Sequence, residues 1–350
     1  MNDKKLKISL VMATYNGEKY IKKQLESIRK QTQPIDEVII SDDNSNDTTM
    51  KIVKNYILNY NLHNWYVYSN DENIGYKKNF YRAIKKATGD IIFLADQDDE
   101  WYDFKVKTMV KKMIMNPQIM ALNSSLQLID EKSNQIKIRL DKNYYNSNFL
   151  YLEHTPMEVE VFGIDYIGLH NISPGCTMAF RKEIASLFLE LYDYKLPHDW
   201  FINMIASATN GCFYLNEKLM GYRQHGNNTI GANTSVISGI LTKTRSERIY
   251  DYMSRNNSLI EIAEQRNILF SDELRQVITL NNLMVKFYKN PNLIKLFKLR
   301  FNPLYYQLAK RKVRLWEFVT SLKLDEIIVR WIKRKEKNEN CSSNSYIQQT

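Results

Sequence analysis

Through the first half of the chain, short unbroken apolar runs alternate with stretches whose apolar residues recur every third or fourth position. The runs at 6–13, 37–40, 65–68 and 90–95 have strand length, whereas Tyr20, Ile21, Leu25 and Ile28, and later Ile52, Val53, Tyr56 and Ile57, mark single helix faces. Between these strands the pattern predicts helices over 18–30, over 47–59 with Ser45 or Asp47 as cap, and over 76–87. Such alternation predicts an α/β fold built on a right-handed, doubly wound, mostly parallel sheet. Further on, a helix is expected over 104–115, strands over 119–129, 175–181 and 212–222, and helices from 183 and 197. Residues 131–170 are weakly patterned and tyrosine-rich, in the manner of an insertion or lid. The expected organisation is a sheet domain over 1–232, a basic helical region over 233–337 and a disordered tail over 338–350.

The fourth strand opens straight into acid, because Ile91 to Ala95 is followed by Asp96, Gln97, Asp98 and Asp99. An uninterrupted apolar run suits a central strand covered on both faces, and ligands of open α/β sheets sit beyond such strand ends. Two carboxylates about 5 Å apart repel by roughly 3 kcal/mol at an effective dielectric of about 20, so three together call for protons, basic partners or a metal. A hard divalent cation, Mg2+ or Mn2+, takes carboxylate oxygens and fills its shell with water and phosphate oxygens. That points to a phosphate-bearing ligand. The plainer reading is a solvated turn with Asp99 capping the next helix. The other strand ends, Thr14 to Gly17, Ser41 to Ser45 and Asn70 to Gly75, are polar and can reach the same crevice. None is a Gly-x-Gly-x-x-Gly or Walker loop, which disfavours dinucleotide redox enzymes and P-loop nucleoside triphosphatases.

Charge changes the picture in one region. The 350 residues carry a net +10, but residues 286–335 hold fourteen Lys or Arg against three acids, a local +11 that leaves the rest near −1. Three widely spaced cysteines, Cys176, Cys212 and Cys341, form neither a disulfide framework nor a zinc pattern, which suits a reducing compartment. With no signal-peptide core and no apolar stretch of about 18 residues, a cytoplasmic protein without membrane spans is expected.

Five segments in order, Ser9 to Asn16, Val38 to Thr48, Asn73 to Asn79, Gly89 to Asp99, and Gly175 to Arg181 with His198-Asp199-Trp200, resemble the family-2 glycosyltransferases of GT-A fold across residues 6–230. The Asp-Gln-Asp-Asp-x-Trp form and Tyr222-Arg223-Gln224-His225-Gly226 resemble a rhamnosyltransferase-like subgroup. The resemblance implies transfer of a sugar, with inversion, from a UDP- or dTDP-linked donor to a hydroxyl of a glycan or lipid-linked acceptor. The setting would be synthesis of a bacterial capsule, O-antigen or other surface polysaccharide. By position it implies Thr14, Asn16 and Asp42 or Asp43 at the nucleotide, with Asp96 at the ribose. Asp98, with Asp99 and His225, would hold Mg2+ or Mn2+, while Lys78 and Arg223 would reach the diphosphate. Asp199 falls at the general base. Each role has a reason: a leaving diphosphate gains charge that a cation stabilises, and an attacking hydroxyl needs a carboxylate to take its proton.

The residues alone allow plainer roles. Asp199 reads as a helix cap, His225 as a surface-loop histidine, Arg223 as a strand-end ion pair and Lys78 as a solvated lysine. His198 is expected to be structural or supporting. The chain lacks the Gln-x-x-Arg-Trp and membrane spans of processive family members, which favours addition of a single sugar. Two alternatives stay open. A sugar nucleotidyltransferase should carry a glycine-rich, arginine-containing loop after the first strand, and an inactive glycan-binding protein should have lost Asp98 or Asp199. Residues 293–301 and 310–331 mix Leu, Phe, Trp and Ile with Lys and Arg, the composition of an interfacial helix, and are expected to hold the protein on the inner face of an anionic membrane. A packed bundle with solvated charges competes with that reading, while a near-neutral sheet half disfavours nucleic acid.

Overall fold

The computed structural model describes residues 6–137, 152, 154–225, 243–265, 271–308 and 311–330. The chain divides into two compact units, Met1–Ile167 with Asn171–Ala232, and Gly168–His170 with Asn233–Thr350. In the first, β1 (Ile8–Thr14), β2 (Glu37–Asp42), β3 (Trp65–Ser69) and β4 (Ile91–Ala95) are joined by α1 (Ile21–Arg29), α2 (Thr49–Asn59) and α3 (Tyr76–Ile84). These strands are parallel in the order β3-β2-β1-β4. The chain thus winds outward from β1 to β3 and returns on the other side of β1, placing the topological switch between β1 and β4. Leu10, Val11, Met12, Phe93 and Leu94 are fully buried there, which is why these strands read as continuous apolar runs.

Beyond β4 the sheet becomes mixed. It gains β5 (Glu100–Trp101), β6 (Ala121–Ile129), β7 (Val159–Val161), β8 (Met178–Arg181) and β9 (Cys212–Arg223). β8 is antiparallel to both β4 and β6, and β9 is parallel to β6 but antiparallel to β5 and β7. The parallel order expected from the sequence therefore holds for the first four strands and gives way in the second half. Packed on the sheet are α4 (Lys105–Met115), α6 (Lys182–Leu191) and α7 (His198–Ser207), with a 3-10 turn at Gly175–Thr177. Part of the expected insertion is built into the fold, since β7 pairs with β9 and leads through buried Phe162 to α5 (Ile164–Ile167). Residues 138–151 of that insertion lie outside the described residues.

The second unit is helical, with α8 (Arg245–Gln265), α9 (Asp272–Lys289), α10 (Leu293–Arg300), α11 (Tyr305–Leu308) and α12 (Arg311–Ser321). Ser271 caps α9 by accepting from the Leu274 amide at 3.2 Å, and Asn292 caps α10 by accepting from that of Lys295 at 2.9 Å. Leu259 and Ile262 of α8 and Val277, Leu280 and Met284 of α9 are buried in this unit. Among the described residues no helix is long and apolar enough to cross a membrane. The expected disordered tail, with Cys341, lies outside the described residues.

Candidate active site

Two loops meet at the switch point. Gln97, after β4, accepts from the Tyr15 amide at 2.9 Å and donates to the Tyr15 carbonyl at 2.8 Å, tying its turn to the loop after β1. Buried Gln24 of α1 holds the same turn by donating to the Asp96 carbonyl at 2.9 Å. On this frame the three carboxylates separate. Asp98 meets His225 Nε2 at 2.8 Å, and the His225 ring stacks on Tyr20 with centroids 4.9 Å apart. Asp99 turns into the interior, where Oδ1 accepts from the Arg223 amide at 3.0 Å and Oδ2 has no hydrogen-bond partner among the described residues. Carboxylate oxygens of Asp96 and Asp99 and the Cys176 sulfur lie within 4.8 Å of one another.

Burial dominates the electrostatics. Together with the Asp98 charge it pushes Asp96 up to about 7, and it pushes Asp99 well above the usual carboxylate range. It raises the Cys176 thiol and lowers the amine of Lys105 to about 7, the latter against the pull of Cys176, Asp99 and Asp96. Lys105 is fully buried, donates to the Cys176 carbonyl at 2.5 Å and lies 3.9 Å from the Trp101 ring centroid.

The donor chemistry fits a hard cation on one side of this turn. Asp98 and His225, both partly accessible, offer carboxylate oxygen and imidazole nitrogen. Asp99 is grouped instead with Asp96 and a buried, protonated thiol, the latter a poor ligand for Mg2+ or Mn2+. The expected trio of Asp98, Asp99 and His225 is thus split across the turn.

Arg223 corrects a second expectation. Its guanidinium is fully enclosed, donating to the Asp98 carbonyl at 2.7 Å, to the Asp130 carbonyl at 2.7 Å and to the Glu100 carboxylate, over the Tyr20 ring. It braces the acidic turn and has no face for a diphosphate. The other strand-end acids are also committed to protein. Asp42 accepts from Thr14 Oγ1 at 2.8 Å and from the Ser45 amide at 2.9 Å, and Asp43 accepts from Asn70 at 2.8 Å and from the Ile74 and Gly75 amides at 2.9 and 2.8 Å. Gly75, at φ 81°, is the left-handed hinge that brings those amides onto Asp43 before α3 begins. Asn16 and Lys78 are exposed, whereas Lys77 holds the carbonyls of Tyr194 and Lys195 at 3.0 and 2.8 Å.

Asp199 is the second residue of α7, whose N-cap is Pro197, so it is not the cap of that helix. Its Oδ2 accepts from Asn171 at 2.9 Å. A β-carbon at Gly175 would sit only 3.2 Å from that of Asp199, so the 3-10 turn needs glycine to pack this closely. Burial raises Asp199 to about 6, against hydrogen bonds from the Trp200 amide and Asn171 that favour its charged form. Its charge in turn helps raise Asp96, and Gly175, which packs on Asp199, directly precedes Cys176 of the acidic cluster. His198 stacks on Phe80 with centroids 4.0 Å apart, and burial followed by Lys77 lowers it to about 3, which makes it a neutral packing residue.

The glycosyl transferase family 2 model matches residues 9–188, which include β1, the acidic turn and the Gly175 turn. The chain belongs to glycosyl transferase family 2. Over 236 residues this glycosyltransferase is 34% identical to the dTDP-rhamnosyl transferase RfbG of Shigella flexneri, spanning 64% of this chain and 75% of that protein. That likeness bears out the rhamnosyltransferase-like resemblance. An uncharacterized glycosyltransferase of Rickettsia typhi is 25% identical over 272 residues, 73% of this chain and 78% of the relative. The solved structure of S. aureus TarS 1–349 in complex with UDP-GlcNAc superposes with a TM-score of 0.55 at 16% identity, covering 95% of this chain and 92% of that one, and so shares the GT-A fold.

Proposed function

We propose that this glycosyltransferase moves one sugar from a nucleoside-diphosphate donor to a hydroxyl of a glycan or lipid-linked acceptor, with inversion, at the membrane face where surface polysaccharide is assembled. The observation that carries the reading is a buried carboxylate, Asp199, held near 6 beside the acidic turn after β4. A general base works best with a pKa close to the operating pH. Asp199 takes the proton of the acceptor hydroxyl as that oxygen bonds to the anomeric carbon, and the bond from that carbon to the diphosphate breaks with its electron pair. Attack and departure on opposite faces of one carbon invert it. Asp98 and His225 would hold Mg2+ or Mn2+, which when bound offsets the charge gathering on the diphosphate. Exposed Asn16 and Lys78 are open to the nucleotide, while Thr14, Asp42 and Asp43 shape the loops around it. The RfbG relative favours a dTDP-linked deoxysugar as donor.

A thermal-shift panel of dTDP-, UDP- and GDP-sugars with Mn2+ tests the donor, since a ligand at a hundred times its dissociation constant adds about 2.7 kcal/mol of stability. Transfer to a synthetic acceptor, read by NMR for the anomer formed, tests the outcome. Retention at the anomeric carbon, or pyrophosphate release from a nucleoside triphosphate and a sugar phosphate, overturns the proposal.

A further inference from the structure

The helical unit presents apolar side chains where a soluble bundle ordinarily presents charge. In α10, Leu296 and Leu299 face the unit interior, whereas Leu293, Ile294 and Phe297 are 52%, 72% and 63% exposed, and Phe301 just past the helix is 72% exposed. The rings of Phe297 and Phe301 pack on each other with centroids 4.7 Å apart, making a small aromatic ridge. α12, which packs beside α10, repeats the arrangement: Trp316 and Thr320 are buried while Leu315 and Phe318 point outward. These positions fall at helical spacing on the outer faces and so form stripes, not scattered exposures.

The charge around these stripes has one sign. Lys286, Lys289, Lys298, Arg300, Lys323 and Arg330 are exposed. The three acids of the segment do little to offset them. Glu317 is buried with a hydrogen bond from Tyr305, Asp325 is buried in an ion pair with Arg245 at 2.5 Å, and exposed Glu326 lies 3.6 Å from Arg330. The exterior is therefore apolar and cationic together.

We propose that this face seats in the interfacial layer of an anionic bilayer, with the aromatic ridge among the upper acyl chains and the flanking lysines at the headgroups. A second copy of the chain is the poorer occupant, because a two-fold contact would press two cationic faces together. Nucleic acid would match the charge but leave the Leu, Ile and Phe stripes facing water. The inference rests on the proposed action at a membrane face and assigns the part of the molecule that makes the contact.

The test is co-sedimentation of the full chain with vesicles of phosphatidylcholine, alone or mixed with phosphatidylglycerol. Two exposed double variants are compared, Phe297→Ser with Phe301→Ser and Lys289→Glu with Lys298→Glu. The expected result is binding to the anionic vesicles only, weakened by salt, and reduced at least tenfold in either variant, with melting temperature and transfer to a water-soluble acceptor unchanged. If wild type binds and both variants bind equally, membrane action stands and this face is the wrong one. If wild type ignores anionic vesicles, action at a membrane falls and takes the inference with it. Self-association of wild type that disappears in the Phe297/Phe301 variant, without vesicle binding, makes the face a protein interface and overturns the inference.

Discussion

β2 and β4 flank β1, and each ends in a run of aspartates, yet the two runs have opposite fates. Asp42 and Asp43 are saturated by hydroxyls, an amide side chain and backbone amides, and their charge serves to fold loops. Asp99 is buried with one carboxylate oxygen that has no donor among the described residues, Asp96 is half-buried beside it, and both pKa values rise. What separates the two runs is the supply of N–H and O–H groups, since a carboxylate given two or three of them has no further need of a partner.

The comparison breaks most visibly at the base. Asp199→Asn should fold and bind donor as wild type does but turn over about 10²- to 10⁴-fold more slowly. A variant that melts many degrees lower while keeping its specific activity would reduce Asp199 to a helix-packing residue. Next in size, excess EDTA or Asp98→Asn should weaken donor binding by roughly 10- to 100-fold or more, the range seen when even supporting groups of a metal site are lost. Calorimetry that finds donor affinity indifferent to both removes the cation from the site.

Stability then sharpens the contrast between the clusters. Replacing Asp43 by Asn takes a charged acceptor from three donors and should cost roughly 1.5–3 kcal/mol. Asp99→Asn puts a neutral amide where burial already disfavours charge, and should melt within about a degree of wild type, or higher, at pH 7 in EDTA. The sign follows from linkage: a carboxyl whose folded pKa is raised contributes most below its unfolded value, and that contribution is lost as pH rises through the folded one. Equal losses in the two variants would mean the clusters do not differ as described. The smallest effect is on the pH profile. With Asp199 near 6, turnover should fall about tenfold per unit below that pH, because the base must be ionised to act. A profile flat from pH 7 to 5 would place the base elsewhere.

The sequence carried the first half of the fold because a parallel strand buried on both faces writes itself as an apolar run, as Ile91 to Ala95 does. β5 and β7 are two and three residues long, too short for any period to register, and the antiparallel second half went unread with them. At the site, motif position singled out Asp98, His225 and Asp199 as the candidates for the roles proposed above. The enclosure of Arg223 was not, because a strand-end arginine looks the same whether it meets a ligand or a carbonyl. Lys105 left no signal at all: a lysine opening a charged helix reads as solvated, and only the packing of Trp101 and Cys176 around it reveals a buried amine.

The enclosed Arg223 has a mechanical consequence. One guanidinium joins the Asp98 carbonyl, the Glu100 carboxylate and the Asp130 carbonyl, and Lys23 Nζ adds a bond to Ser133 at 2.6 Å from α1. The turn after β4 and the turn after β6 are thereby riveted to one another, although neither follows the other in sequence. Whatever stiffens the first must stiffen the second. Donor binding at Asp98 should therefore slow amide hydrogen exchange across residues 130–134, and Arg223→Lys, which keeps the charge but loses the fork, should uncouple the two turns while each remains folded.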